Sequence, residues 1–180
     1  MKRVLAALIT LCGLSDLALA DSDIVLLSGL YNVYAPATIK GNLTTMWMGG
    51  WLTMLDAPDD EIYFSQRLSG NWQTPVLNLS VPGVQINDPT LVKPPSTDGI
   101  DRSTWTYMYV TGPEHMVTEF GDAVSAGFYV STDGGMTWAF IGSVVGPNAV
   151  DANGYLATGC GFPSVVRDGD YLQLYCTNNI

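Results

Sequence analysis

After residue 20, apolar and polar residues follow each other in short runs rather than in the longer pattern of a helix. The runs are rich in Trp, Tyr, Val and Thr, which favour the pleated surface of a sheet. Gly and Pro separate the runs at short intervals, as turns between strands require. No stretch repeats its apolar residues with the spacing of an amphipathic helix. The pattern therefore predicts an all-β protein built from many short strands.

One hexapeptide pattern occurs three times, at residues 35–40, 88–93 and 162–167. Each copy has a variable residue, a proline, a small residue, two mostly apolar residues and a basic residue. Proline fits the start of a strand because it lacks only a hydrogen bond that this position need not make. The repeat therefore predicts the first strands of three similar units.

Further strand signals follow each hexapeptide in a similar order. Four short antiparallel strands per unit are the organisation of a β-propeller blade. The sequence therefore predicts an all-β fold, a β-propeller of four-stranded antiparallel blades. Blade 1 is expected at about residues 35–79, blade 2 at about 87–145, and a partial blade 3 at about 161–180. Predicted second strands are 44–49, 104–111 and 171–177, third strands 61–66 and 126–131, and fourth strands open at Trp72 and Trp138.

About two and a half blades are too few to close a ring, since propellers have roughly four to eight. The chain is therefore expected to be the N-terminal part of a longer protein, its third blade continuing beyond Ile180. The alternative is a complete sandwich-like domain of about ten strands, because sandwiches show similar strand spacing.

The first 20 residues have the pattern of a secretory signal peptide. Lys2 and Arg3 precede the apolar run 4–14, and Ala-Leu-Ala at 18–20 offers a cleavage site. The apolar run is too short to span a bilayer, so no membrane span is predicted. The sequence thus predicts a secreted or periplasmic protein with residues 21–180 as its domain.

Acidic residues dominate the charge, with 17 Asp and Glu against seven Lys and Arg and a net charge of −10. Such a surface argues against nucleic acid and anionic lipid as partners, and it suits neutral or cationic ligands. A single histidine, with no Cys-x-x-Cys and no EF-hand loop, predicts no metal site. No cofactor-binding motif is present, so no cofactor is predicted.

Cys160 and Cys176 flank a predicted hairpin whose turn is Asp168-Gly169. Folding about this turn brings the two cysteines opposite each other, and an oxidising compartment would allow a disulfide between them. Two separate buried thiols are the alternative.

The segment 131–138 carries Ser131, Asp133, Gly135 and Trp138 in the order SxDxGxTW. This motif resembles the Asp-box of sialidases and of many other propellers. The Asp side chain is expected to accept hydrogen bonds from the turn's backbone, and the glycines permit positive φ. Its place in the turn from third to fourth strand predicts a structural motif, on the face away from the ligand site.

The repeated hexapeptide resembles the blade starts of the five-bladed glycoside hydrolases, families 43 and 32 and their relatives. The resemblance covers residues 35–177. It implies a general base in blade one, a pKa-tuning Asp in blade two and an acid in blade three. Asp88 matches the blade-two position, whereas Ala35 stands at the first and Gly161 or Phe162 at the third. Asp88 is therefore the predicted carboxylate of the site, tuning another group's pKa.

Glycoside hydrolysis ordinarily needs two carboxylates. Glu114 and His115 are further catalytic candidates, because they lie in a predicted long loop, 112–125, on the same face as Asp88. His115 is the sole histidine, and its intrinsic pKa lies near physiological pH. A solvated acidic loop is the favoured interpretation of the cluster at 56–61. The remaining acidic candidates are Asp56, Asp59, Asp60, Glu61, Glu119 and Asp122.

Trp51 is the predicted substrate-binding aromatic, since it ends a second strand near the ligand face and flat rings stack on sugars. Blade packing is the alternative for Trp51, and it is favoured for Trp47.

Together these features predict a secreted carbohydrate-active protein, a glycoside hydrolase acting on O-glycosidic bonds of neutral glycans. The alternative is a non-catalytic glycan-binding propeller, which Ala35 and Phe162 favour because neither is a carboxylate. A sialidase-type enzyme is the least favoured, since no arginine precedes Pro36, Pro89 or Pro163.

Overall fold

A computed structural model describes residues 32–51, 60–95, 98–118, 121–146 and 160–177. Within these ranges every regular element is a β-strand, and every pair of neighbouring strands is antiparallel. The prediction of an all-β protein is therefore confirmed for the described residues. The predicted signal peptide, 1–20, lies outside them.

The first sheet is formed by consecutive strands of the chain. β1 (Asn32–Ile39) pairs with β2 (Asn42–Trp51), and β2 pairs with β3 (Glu61–Leu68). Two short strands, β4 (Asn71–Trp72) and β5 (Val76–Leu79), both pair with β3. The predicted fourth strand at Trp72 is thus split into two pieces along one edge.

The second and third sheets are also formed by consecutive strands. The second runs in the order β6 (Asn87–Val92), β7 (Thr106–Thr118), β8 (Gly121–Ser131) and β9 (Ala139–Val145). The third is the hairpin of β10 (Gly161–Asp168) and β11 (Tyr171–Thr177). β9 begins one residue after Trp138.

The prediction of a long loop at 112–125 is wrong. β7 and β8 continue into this segment, and their pairing resumes at His115 and Val124 after an irregularity that follows Thr111. Gly112, with φ of 119°, lies within that irregularity, and no other residue type adopts such a backbone readily. The Gly-Pro pair at 112–113 therefore marks a bulge inside a long hairpin.

Two buried clusters join each sheet to the next sheet along the chain. Trp47, Ile62 and Phe64 of the first sheet pack with Met108 and Val110 of the second in one buried cluster. A smaller cluster joins the second sheet to the third. It contains Val92, Tyr109 and Val165, with Tyr107, Phe128, Leu172 and Leu174 packed against it.

Within the described part of the chain, no helix has the length and the apolar composition that a membrane crossing requires.

Candidate functional site

The first strands of the three sheets, β1, β6 and β10, share an unusual backbone conformation at the residue before proline. Ala35, Asp88 and Phe162 have φ of 47°, 51° and 49°, respectively. Strand pairing is interrupted at the same place in β1, β6 and β10. Positive φ is uncommon for residues other than glycine and costs of order 1 to 3 kcal/mol. Its recurrence at equivalent positions shows that one local structure is repeated in the three sheets.

These positions surround a common cavity. β1 contacts β6, and β6 contacts β10. An open cavity of about 410 Å³ lies where the three strands meet. Its lining consists of Ala35, Pro36, Ala37, Thr38, Asp88, Pro89, Thr90, Leu91, Phe162, Pro163 and Val165. Asp88 is the one ionisable residue among the lining residues that the structure describes, so any acid–base chemistry of these residues depends on it.

Asp88 is held in the cavity wall with only 8% of its surface exposed. Burial raises the pKa of its carboxyl group, a hydrogen bond with the Thr111 hydroxyl lowers it, and the negative charge of Asp60 raises it again. The net effect is a pKa above the ordinary value for aspartate. Thr111 also accepts a hydrogen bond of 2.9 Å from the backbone N–H of Phe162. The Thr111 hydroxyl therefore links Asp88 to β10, the strand in which Phe162 lies.

Asp60 extends the polar network behind Asp88. Its Oδ2 accepts a hydrogen bond of 3.0 Å from Nδ2 of Asn87, and its backbone carbonyl accepts one of 3.0 Å from Ile86. Oδ1 of Asp60 and Oδ1 of Asn87 are buried and have no hydrogen-bond partner among the described residues.

The other predicted site residues are not brought into this cavity by the described geometry. Glu114 and His115 lie on β7 beyond the bulge, where His115 pairs with Val124. Their side chains lie outside the described part of the structure. Trp51 ends β2, is half-buried and pairs with Asn32. Of the acidic candidates, Asp56, Asp59 and Glu119 lie outside the described residues, as does the side chain of Asp122.

The turn at 131–138 is organised around Asp133. Its Oδ1 accepts hydrogen bonds of 3.0 Å from the backbone N–H groups of Met136 and Thr137, and its Oδ2 accepts one of 2.6 Å from the Thr137 hydroxyl. Ser131 donates a further bond of 2.7 Å to Oδ1. These bonds, above all those from Thr137, lower the pKa of the Asp133 carboxyl far below its ordinary value. The carboxylate is thus fully engaged within its own turn.

The same turn docks onto the first sheet through Asn78. Oδ1 of Asn78 accepts hydrogen bonds from Nε1 of Trp47 (3.0 Å) and of Trp138 (2.7 Å). Its Nδ2 donates to the carbonyls of Gly135 (3.1 Å) and Met136 (3.2 Å). Trp47 is 1% exposed and packs edge-on against Trp138. Trp47 and this turn therefore join two sheets.

The turn and Asp88 lie at different levels of the second sheet. Ser131 pairs with Thr106 at the start of β7, whereas Asn87 pairs with Thr111 further along the same strand. Five residues of extended strand separate the two levels by roughly 17 Å.

Cys160 and Cys176 are joined by a disulfide whose Cα atoms are 5.1 Å apart. The backbone N–H of Cys160 also donates a hydrogen bond of 2.8 Å to the carbonyl of Val124 in β8. The start of β10, where Phe162 lies, is therefore tied both to β11 and to the second sheet.

Among the residues that the structure describes, no group of three or more His, Cys, Asp or Glu side chains is arranged to hold a metal ion.

Comparison with known proteins found no match to a protein-family model and no match to a curated protein. Functional interpretation of the chain therefore depends on the geometry of the cavity and on the chemistry of its residues.

Three residues of this region were not predicted as site residues, namely Thr111, Asn87 and Phe162. Thr111 could have been found from the hairpin register, because it lies on the second strand opposite the Asn87-Asp88 pair. Phe162 has a repeat signal, since it occupies the position equivalent to Asp88.

Proposed function

We propose that this chain is a secreted carbohydrate-active protein with the blade architecture of a β-propeller, and that it hydrolyses O-glycosidic bonds of neutral glycans. The site is the cavity lined by β1, β6 and β10, with Asp88 as its principal carboxylate. The observation that carries the proposal is the buried, raised-pKa carboxyl of Asp88 in the wall of this cavity.

The propeller interpretation is supported by the order of the strands. Each sheet is formed by consecutive strands of the chain, and the first strands of successive sheets are neighbours. A Greek-key sandwich instead exchanges strands between two sheets. The repeated bulge before proline further supports three equivalent units. The first strands of a propeller surround its central channel, and the cavity is lined by residues of β1, β6 and β10, the first strands of the three sheets.

The chemistry of Asp88 fits glycoside hydrolysis. A carboxyl group whose pKa is raised retains its proton to higher pH and can donate a hydrogen bond to a sugar hydroxyl or tune a neighbouring acid. Asp60 is the described carboxylate that is coupled to Asp88 in this way, because its negative charge raises the pKa of Asp88. A neutral glycan suits this site, since the protein carries a net charge of −10 that repels anionic sugars.

A glycan-binding protein without hydrolytic activity is the second candidate. Ala35 and Phe162 favour it, because these two positions are equivalent to Asp88 and neither carries a carboxylate. Such a protein would use Asp88 only to accept or donate a hydrogen bond to a sugar hydroxyl.

Incubation of the purified protein with neutral polysaccharides separates these candidates. Release of reducing sugar is expected if the protein is a hydrolase, and binding on a neutral glycan array without sugar release indicates the binding protein. If the protein neither binds any neutral glycan nor releases sugar from one, the proposal is refuted. Acidic glycans on the same array serve as the matched control and are expected to give no signal.

A further inference from the structure

Phe162 is an aromatic side chain held exposed at the cavity. It is 61% exposed and lines the cavity beside Asp88. Its φ of 49° places it in the left-handed region, which is unfavourable for a bulky residue. The bulge that Phe162 shares with Ala35 and Asp88 sets its backbone conformation, and burial does not account for the position of its ring.

The backbone of Phe162 is fixed from several directions. Its N–H donates to the Thr111 hydroxyl at 2.9 Å, and Gly161 before it pairs with Thr177. Pro163 after it is buried, and the Cys160 disulfide is two residues away. The ring is thus carried by a backbone that is held in place, so little backbone entropy is lost when a flat molecule binds to it.

The same hydroxyl couples Phe162 to Asp88. Thr111 accepts from the Phe162 backbone and hydrogen-bonds the carboxyl group of Asp88. A shift of either strand would therefore disturb both residues. A mainly apolar wall with a few fixed polar groups is the usual composition of a small-molecule site.

We infer that Phe162 is the stacking platform of the site and receives the apolar face of a pyranose ring whose hydroxyl groups reach Asp88. This inference rests on the proposed function and specifies its ligand as a neutral sugar ring presenting axial C–H groups on one face. Exposed C–H groups pack against an aromatic face, whereas the equatorial hydroxyls remain free for polar partners. The nearby threonines, Thr38 and Thr90, add hydroxyl groups to the lining.

The test uses the full chain and four neutral hexasaccharides, namely cellohexaose, xylohexaose, mannohexaose and maltohexaose. Isothermal titration calorimetry gives the Kd of each for the wild type, Phe162→Ala, Phe162→Tyr and Phe140→Ala. Phe140 is the matched control, because it is a 52% exposed phenylalanine that does not line the cavity.

Phe162→Ala is expected to weaken binding of the preferred hexasaccharide roughly tenfold. Phe162→Tyr keeps the ring and is expected to stay within about threefold of wild type, as is Phe140→Ala.

The possible failures are distinguishable. If the wild type binds a hexasaccharide and Phe162→Ala binds it equally well, the platform is refuted while the proposed function stands. A lower melting temperature of Phe162→Ala with unchanged Kd also refutes it and shows that Phe162 packs against another part of the protein. If the wild type binds none of the four, the platform and the proposed ligand class are both refuted.

Discussion

Replacing Asp88 with asparagine is expected to reduce glycan hydrolysis by roughly 10²- to 10⁴-fold, the usual contribution of a group that transfers or tunes a proton. Asparagine has the shape of the protonated carboxyl and can still accept the hydrogen bond from Thr111. It cannot exchange a proton. Glycan affinity is therefore expected to stay within about threefold of wild type while the rate falls, a split that kcat and KM measurements resolve.

Asp170→Asn is the matched control, since it removes one negative charge from an exposed turn that does not line the cavity. Hydrolysis by this variant is expected to remain at the wild-type rate. An unchanged rate in Asp88→Asn would remove Asp88 from the proposed mechanism.

The same substitution should stabilise the protein at neutral pH. The pKa of Asp88 is raised by burial in the folded state, so its ionised form opposes folding above that pKa. Asparagine carries no such charge, and a higher melting temperature is expected at pH 7. The gain should shrink as pH falls through the folded pKa and vanish below about pH 4, where Asp88 is protonated in both states. A variant less stable than wild type at pH 7 would contradict the assigned cause of the shift.

Gly135→Ala is expected to lower the free energy of unfolding more than Gly134→Ala does. Gly135 has φ of 95°, and a Cβ atom there would overlap with Cζ2 of Trp47. Trp47 cannot yield easily because it is buried in the core and hydrogen-bonded to Asn78. Backbone strain of about 1 to 2 kcal/mol and overpacking of about 1 to 3 kcal/mol together predict a loss of roughly 2 to 5 kcal/mol.

Gly134→Ala separates the two contributions. Gly134 also has positive φ, 80°, but a Cβ atom there would meet no heavy atom within 4 Å. Strain alone therefore predicts a loss of about 1 to 2 kcal/mol in the free energy of unfolding, measured by denaturant titration with the disulfide intact. Equal losses in both variants would show that the contact with Trp47 does not hold the two sheets together.

The first strands could be predicted from the sequence because their signals are local. Proline tolerates only a strand position that does not donate a hydrogen bond, and the apolar pair that follows needs burial. Leu91 and Val92 after Pro89, and Val165 after Pro163, are buried, whereas Val166 is 51% exposed. The all-β class follows from the same kind of evidence.

The bulge before each proline could not be predicted. A residue before proline is ordinarily extended, and the bulky Phe162 disfavours positive φ further, so packing of the whole sheet selects this conformation. The error at 112–125 has the opposite origin. Gly112 and Pro113 have strong turn preferences, yet the strands on both sides continue to pair.

The partners of Asp88 come from distant parts of the chain. Thr111 meets the backbone of Phe162 across 51 residues, and Asn87 meets Asp60 across 27. Such contacts depend on the register of three sheets, which a single sequence does not encode in any local pattern. The repeat in the sequence identified the position of Asp88. Its hydrogen-bond partners could be found only in the folded structure.

A crystal structure of the protein with its preferred neutral hexasaccharide bound tests the proposed site most directly. We expect a pyranose ring in the cavity between β1, β6 and β10, with one face on Phe162 and a hydroxyl group about 3 Å from the carboxyl of Asp88. A hexasaccharide bound elsewhere on the surface, with this cavity empty, would contradict it.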